Sequence, residues 1–230
     1  MNVFRPILIC LLLITFAIPA QPFHRIVRDN EITWDEARTL AANAGKNTSF
    51  PLVINEDVLR QLNKMLGSPG RRRHLRESFR RMKKYEQMIS NKLTRNNMPQ
   101  ELLALPLIES SYQNIHSKHG WGSGLWMLIK ITARGLGLKV NARTDQRMDV
   151  EKSTDAALKY LKNKQRKFKD WHLTVMAYNM GENKVIEAMK KVGTKDPWRL
   201  IKKGHERDKG YLAKVIAGAI IIRNHELATK

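Results

Sequence analysis

A mainly α fold is what this sequence predicts, on three observations. No segment shows sustained period-2 alternation of apolar and polar residues, the mark of a half-buried strand. Apolar residues instead recur at three- and four-residue spacing, in segments bounded by capping residues, Gly or Pro. The composition, 42% hydrophobic and 27% charged over 230 residues, suits one globular domain of ordinary size with a sizeable core.

Residues 1–20 stand apart from that fold. Arg5 supplies a short positive n-region, Pro6 to Ile18 an apolar h-region, and Pro19-Ala20 a small-residue cleavage site before Gln21. This reads as a secretory signal peptide, with an uncleaved signal anchor as the alternative. Cys10, the one cysteine, lies inside it with no lipobox around it, so a mature chain has no disulfide, thiolate or zinc–cysteine site. Residues 21–49 read as a partly ordered N-terminal arm. It holds one short helical pattern from Ile32 to Ala44, which Thr33 caps with Glu36 three residues on, as in a capping box.

From Asn55 the pattern is helical. Val58, Leu59, Leu62 and Leu66 share one face, and Gly67-Ser-Pro-Gly70 stops the run. A very basic helix follows, with Leu75, Phe79 and Met82 as a narrow apolar stripe. It is either a surface helix packed on its neighbours or a docking face for an acidic partner or an anionic membrane surface. Tyr85, Met88 and Ile89 extend it towards Asn91. Pro99 suits a helix start with Asn97 as a nearby cap, and Pro106 makes a straight helix through Glu109 improbable. Thr132 to Leu138 is a short helix ending at Gly135 or Gly137. Asp149 or Ser153 caps a helix over Asp155 to Phe168, with Asp145 and Arg147 in structural roles. Further helices run from Trp171 to Asn179 and from Val185 to a stop at Gly193, and Pro197-Trp198 is a loop anchor. Tyr211 to Arg223 carries the apolar run VIAGAIII, a buried core helix too short for a membrane span.

The formal net charge of +21 attracts polyanions or anionic surfaces. An export signal argues against nucleic acid. In a cell envelope the anions on offer are peptidoglycan carboxylates, phospholipid headgroups and acidic partner proteins.

Chemistry concentrates in Leu102 to Met127, LLALPLIESSYQNIHSKHGWGSGLWM. Glu109 follows an apolar run, and a carboxyl desolvated by such neighbours has a raised pKa and can act as a general acid near neutral pH. Ser110, Ser111 and Tyr112 come next, then a turn rich in Gly and Trp. Its glycines let backbone approach a ligand closely, and Trp and Tyr offer flat faces for sugar rings. An acid in an aromatic cleft suggests polysaccharide cleavage; the alternative is a Glu109 that caps a helix or pairs with one of the many bases. His116 and His119 have HxxH spacing, which with no third ligand is a weak metal signal.

PLIESSY at 106–112, SGLW at 123–126 and AYNMGE at 177–182 occur in the order of the motifs of the transglycosylase SLT domain, and over about Phe50 to Arg223 the chain resembles lytic murein transglycosylases of that family. The resemblance implies a goose-type lysozyme-like fold, with a catalytic domain over residues 50–227, and no metal or other cofactor. It implies peptidoglycan glycan strands as substrate and an exported protein of the periplasm or envelope. Glu109 is then the catalytic acid. Ser110, Tyr112, Gly124, Leu125, Met127, Tyr178 and Asn179 become the substrate-binding positions, with the Tyr178 hydroxyl at the scissile region. At the position of Met127 the family normally has Gln, whose amide hydrogen bonds a thioether cannot make, although Met can lie against a sugar face. The LysM repeats that often accompany this domain are not recognisable in the sequence, which leaves substrate localisation to the basic surface or a partner. The alternative function is a catalytically weak peptidoglycan-binding scaffold of an envelope or secretion assembly.

Overall fold

A computed structural model describes residues 31–46, 48–117 and 122–229. The signal-peptide reading, Cys10, His119 and Trp121 lie outside them. The described chain is helical, with isolated bridges in place of strands: Ile115 to Gly124, Ser123 to Leu128 and Val140 to Asp145.

The organising element is the C-terminal helix Tyr211–Arg223, which we number α11. It is apolar all round, and such a helix is stable only when enclosed. Its residues from Tyr211 to Ala213 and from Val215 to Ile221 are all buried. Around it pack α1 (Trp34–Ala44), α2 (Glu56–Leu66), α5 (Ala104–Ser110) with the 3₁₀ turn Gln100–Leu103 before it, and α8 (Trp171–Met180). The remaining helices are α3 (Pro69–Met82), α4 (Glu86–Arg95), α6 (Lys130–Gly135), α7 (Val150–Phe168), α9 (Glu182–Val192) and α10 (Pro197–Lys202). α7 and α9 flank α8, and α4 leans on α7. Ile216, at the centre of α11, is fully buried. Ile216→Ala is expected to lose about 2–5 kcal/mol, the usual range for a truncation that leaves a core cavity, as measured by urea denaturation.

Local chemistry sets most of the element ends. Thr33 and Glu36 make the reciprocal capping box of α1. Asn55, Ser68, Asp149 and Asp170 each accept a backbone N–H in the first turn of the helix they precede. Gly193 closes α9 in the left-handed conformation.

The ordered part of the N-terminal arm is α1, which lies on α11 with Ala37 and Ala41 buried in the common core. Five expectations need correction. The basic helix does not run on to Asn91; it ends at Met82, and a new helix begins at Glu86. α6 begins at Lys130, with no side-chain cap, and α7 begins at Val150 because Asp149 is the cap that is used. Pro197-Trp198 opens a short helix instead of anchoring a loop, with Pro197 in the first turn where its missing N–H costs nothing. Asn97 caps no helix; it occupies a left-handed turn, and Pro99 precedes the 3₁₀ turn.

The basic helix α3 is a packed surface helix. Arg71 donates to the carbonyl of Lys64 (2.9 Å) and Arg72 to that of Leu66 (2.5 Å), the unsatisfied end of α2. Arg76 donates to the Ala228 carbonyl (2.6 Å) and Arg81 to that of Ser111 (2.8 Å). These guanidinium groups thus hold chain ends together, and only part of the positive charge is left to face outward.

Candidate active site

Glu109 sits in the last turn of α5. Pro106 lies in that helix's first turn, where backbone N–H groups have no intrahelical partner, so it is tolerated there. Against expectation the helix runs unbroken through Pro106 and Glu109, and the 3₁₀ turn Gln100–Leu103 leads directly into it. Ser111 and Tyr112 then take left-handed conformations (φ 52° and 58°). The Tyr112 N–H donates back to the Pro106 carbonyl at 3.1 Å. The helix thus stops abruptly just after the acid.

The carboxyl group of Glu109 opens onto a cleft of 190 Å³. Met127, Leu128, Ile129 and Thr132 form one wall; Tyr160, Tyr178 and the segment Asn179 to Gly181 form the other, with Arg207 at the edge. Burial pushes the Glu109 pKa up from the ordinary carboxylate value; the hydrogen bond from Tyr211 and the Arg207 charge act against this, and Asp208 adds to it. The Tyr211 hydroxyl donates to Glu109 Oε1 at 2.5 Å. A phenol held this way orients the carboxyl and leaves Oε2 for a reacting group. Tyr211→Phe removes a bond that favours the ionised form, so the Glu109 pKa rises further. The alkaline limb of the pH–activity profile, where an acid must hold its proton, is expected to move to higher pH.

Two turns shape the near wall. Gly122 and Gly124 are in backbone contact with other segments: a Cβ on Gly122 would lie 1.8 Å from the Met127 carbonyl oxygen, and one on Gly124 1.9 Å from that of Arg147. The side chain of Arg147 reaches the Leu128 carbonyl (3.1 Å) and pairs with Asp145 (2.6 Å). That pairing holds the Asp145 carboxyl below its usual range. Trp126 is fully buried, and its Nε1 donates to Thr154 at 2.9 Å. The glycines therefore serve approach of the chain to itself, and the motif tryptophan is core. The aromatic surfaces at the cleft are Tyr160 and Tyr178, packed edge to face at 5.8 Å between centroids.

Of the substrate-binding positions, Met127, Tyr178 and Asn179 line the cleft with Glu109. Ser110, Tyr112, Gly124 and Leu125 stand behind it. The Ser110 hydroxyl is taken by the Leu125 carbonyl (2.8 Å) and the Tyr112 hydroxyl by the Leu103 carbonyl (2.7 Å). Both residues are buried, as is Leu125. These four are not among the residues that line the cleft. The Tyr178 hydroxyl donates to the Trp126 carbonyl at 2.6 Å, which fixes the ring in the cleft beside Glu109. Asn179 donates to Asp208 Oδ2 at 2.6 Å, while its buried Oδ1 has no partner among the described residues. An acceptor held in that way suits a ligand N–H or O–H.

Sequence reasoning missed Tyr211, Arg207, Asp208 and Arg81. The loop bearing Arg207 and Asp208 is tied down by Glu206, which accepts from the N–H groups of Gly210 (2.6 Å) and Leu212 (3.0 Å). A charged cluster just ahead of a buried helix was the available signal for that loop. His116 lies 3.6 Å from Asp145, and among the described residues no group of three His, Cys, Asp or Glu side chains is placed to hold a metal.

Comparison with known proteins agrees with this geometry. The family model described as the transglycosylase SLT domain matches residues 86–201. Membrane-bound lytic murein transglycosylase D of Escherichia coli (strain K12) is 33% identical over 190 residues, which are 80% of this chain and 41% of that protein. A putative tributyltin chloride resistance protein of Alteromonas sp. (strain M-1) is 33% identical over 116 residues, 50% of this chain and 56% of that protein. The chain thus spans about two fifths of the murein transglycosylase it matches. A buried acid at the end of its helix, the segment after SGLW and the AYN segment lining its cleft, and a match over half the sequence agree: this chain belongs to the transglycosylase SLT domain family.

Proposed function

We propose that the protein is a peptidoglycan lytic transglycosylase that cleaves the MurNAc–GlcNAc bond with Glu109 as acid and then base. The observation that carries this is one buried carboxyl, raised in pKa and held by Tyr211, in a cleft it shares with Met127, Tyr178 and Asn179. Glu109 gives its proton to the glycosidic oxygen, the C1–O bond of MurNAc breaks, and the GlcNAc-side hydroxyl departs. The substrate's own N-acetyl group stabilises the oxocarbenium-like centre. Glu109, now a carboxylate, takes the proton of the MurNAc 6-hydroxyl, whose oxygen closes on C1 to give the 1,6-anhydro product. No second catalytic carboxylate is needed, unlike the two-carboxylate glycosidases. Asp208, which adds to the negative field at Glu109, already accepts from Asn179 and Arg207.

Export to the periplasm or envelope follows from the signal-peptide reading of residues 1–20. Among the described residues no helix is long and apolar enough to cross a membrane.

Digestion of purified sacculi with product analysis by mass spectrometry tests the proposal. Anhydro-muropeptides support it; reducing-end muropeptides assign a hydrolase. A second reading, a peptidoglycan-binding scaffold, is favoured by one observation: the cleft presents the Met127 thioether where the family has an amide. Sacculus binding without products, with products restored by Met127→Gln, would establish that reading.

A further inference from the structure

The turn that ends α5 is held in an unfavourable conformation. Ser111 and Tyr112 both have positive φ (52° and 58°), a region that L side chains seldom adopt. Tyr112 is fixed from inside: it is buried, its N–H closes on the Pro106 carbonyl and its hydroxyl on that of Leu103. Ser111 is only half-buried. Beside it a cavity of 360 Å³ separates α3 from the last turn of α5, lined by His74, Leu75, Leu107, Ile108 and Ser111 among others. Close packing therefore does not press the turn into place on that side.

Hydrogen bonds from α3 span the gap. Arg81 Nε donates to the Ser111 carbonyl at 2.8 Å, and His74 Nε2 hydrogen-bonds the Ser111 hydroxyl at 2.9 Å. The guanidinium is aimed by the buried Ser78, whose hydroxyl accepts from Arg81 Nη2 at 3.1 Å and donates to the His74 carbonyl at 2.8 Å. His74, Ser78 and Arg81 follow one another at four- and three-residue spacing and so share one face of α3. The residue they grip closes the turn that carries the acid, since the Ser111 N–H donates to the Leu107 carbonyl at 3.1 Å. If Ser111 left its left-handed conformation, that bond and the one from Tyr112 to Pro106 would open, and Glu109 would move off Tyr211. The groups that act on the Glu109 carboxyl itself are Tyr211, Arg207 and Asp208, with Tyr178 beside it. Arg81 acts through the backbone.

We propose that Arg81 is a positioning residue for Glu109: it clamps the strained turn at Ser111, with His74 as a second grip, so that the acid keeps its place beside Tyr211. The proposal rests on the reading of Glu109 as the catalytic acid.

The test is Arg81→Met in the full chain, assayed on solubilised glycan strands. kcat is expected to fall about tenfold or more with KM nearly unchanged, the mark of a displaced catalytic group. A Glu109 that moves towards water loses part of the burial that raises its pKa. The alkaline limb of the pH–activity profile then moves to lower pH, opposite to the shift expected for Tyr211→Phe. A residue that only adds stability leaves the limb where it is. Ser111→Gly, added to Arg81→Met, supplies a residue that takes positive φ without strain, so most of the kcat and the position of the limb are expected to return. Arg81→Lys keeps the charge but not the fork of donors and is expected to fall between; it is the variant read if Arg81→Met does not fold. Parent-like kcat and pH profile, or a loss that Ser111→Gly does not recover, overturns the clamp. Carbon-13 NMR titration of the Glu109 carboxyl, assigned by the signal lost in Glu109→Gln, reads the same displacement without turnover. If the parent chain releases no muropeptides, the enzymatic reading falls, and the titration alone decides the clamp: a Glu109 pKa lowered by Arg81→Met and restored by Ser111→Gly supports it, and an unmoved one overturns it. If the parent releases anhydro-muropeptides and Arg81→Met changes nothing, the clamp falls alone.

Discussion

Glu109→Gln is expected to reduce turnover of peptidoglycan about 10²- to 10⁴-fold, the range by which a positioned general acid accelerates such steps. The amide has nearly the shape of the carboxyl group and can still accept from the Tyr211 hydroxyl, so the cleft is retained. It has no proton to deliver and no carboxylate to receive one, so both halves of the proposed reaction are lost. The same variant has a stability signature. Burial raises the Glu109 pKa in the folded protein above its unfolded value. Between those two values the folded state binds more protons than the unfolded one, and stability falls as pH rises through that window. The contribution of the protonated group is fully present below the unfolded pKa and gone above the folded one. Gln titrates nowhere. The variant is therefore expected to be more stable than the parent at neutral and alkaline pH, and to lose this part of the pH dependence. Thermal unfolding across pH 4–8, read beside anhydro-muropeptide release, checks both halves. Undiminished turnover removes Glu109 as the acid, and an unchanged pH dependence removes the desolvated carboxyl.

That pairing of lost activity with gained stability explains why the site was partly legible in the sequence. The run before Glu109 is apolar, and burial of a carboxyl among such residues is a local property that spacing reveals. Helix ends were legible for the same reason: Thr33, Asn55 and Gly193 act on their own neighbours, within a turn. Tyr211 was not. In sequence it opens a core helix, and its partner is 102 residues away, a contact set by how α11 crosses α5. Arg81, Arg72 and Arg76 failed in the opposite sense. Their clustering looks like a surface charge run, while each one's use is set by a carbonyl elsewhere, at Ser111, Leu66 or Ala228. Trp126 and Tyr112 share the composition of a sugar-binding platform. Nothing in residue type distinguishes an aromatic face that meets a ligand from one that meets Thr154 or Leu103 through its polar edge.

Gly124→Ala is expected to do damage comparable to truncating a core side chain. Gly124 has φ of +78°, where an L side chain is strained. The added Cβ would also lie 1.9 Å from the Arg147 carbonyl oxygen and 2.9 Å from its carbon. Both are backbone atoms, so no rotamer change relieves the overlap. The Gly124 N–H is itself spent on the Ile115 carbonyl at 2.7 Å, which prevents the turn from swinging the other way. Arg147 cannot retreat without giving up Asp145 and the Leu128 carbonyl, the bond that ties the near wall of the cleft to the segment before α7. Either the turn or that wall must move. Movement of the turn carries with it Leu125 and Trp126, whose carbonyls hold Ser110 and Tyr178. Overpacking of this kind costs roughly 1–3 kcal/mol where neighbours can yield. With strained φ and a backbone overlap at Arg147 we expect the loss to exceed about 3 kcal/mol, with turnover falling further than the unfolded fraction accounts for. Gly135→Ala is the control, since φ is ordinary there and nothing lies within 4 Å of the added methyl; its stability should change by no more than about 1 kcal/mol. Urea denaturation of the two variants, with activity measured at a temperature where both are folded, separates the outcomes. Equal behaviour would mean that the turn is free to adapt and does not fix the wall facing Glu109.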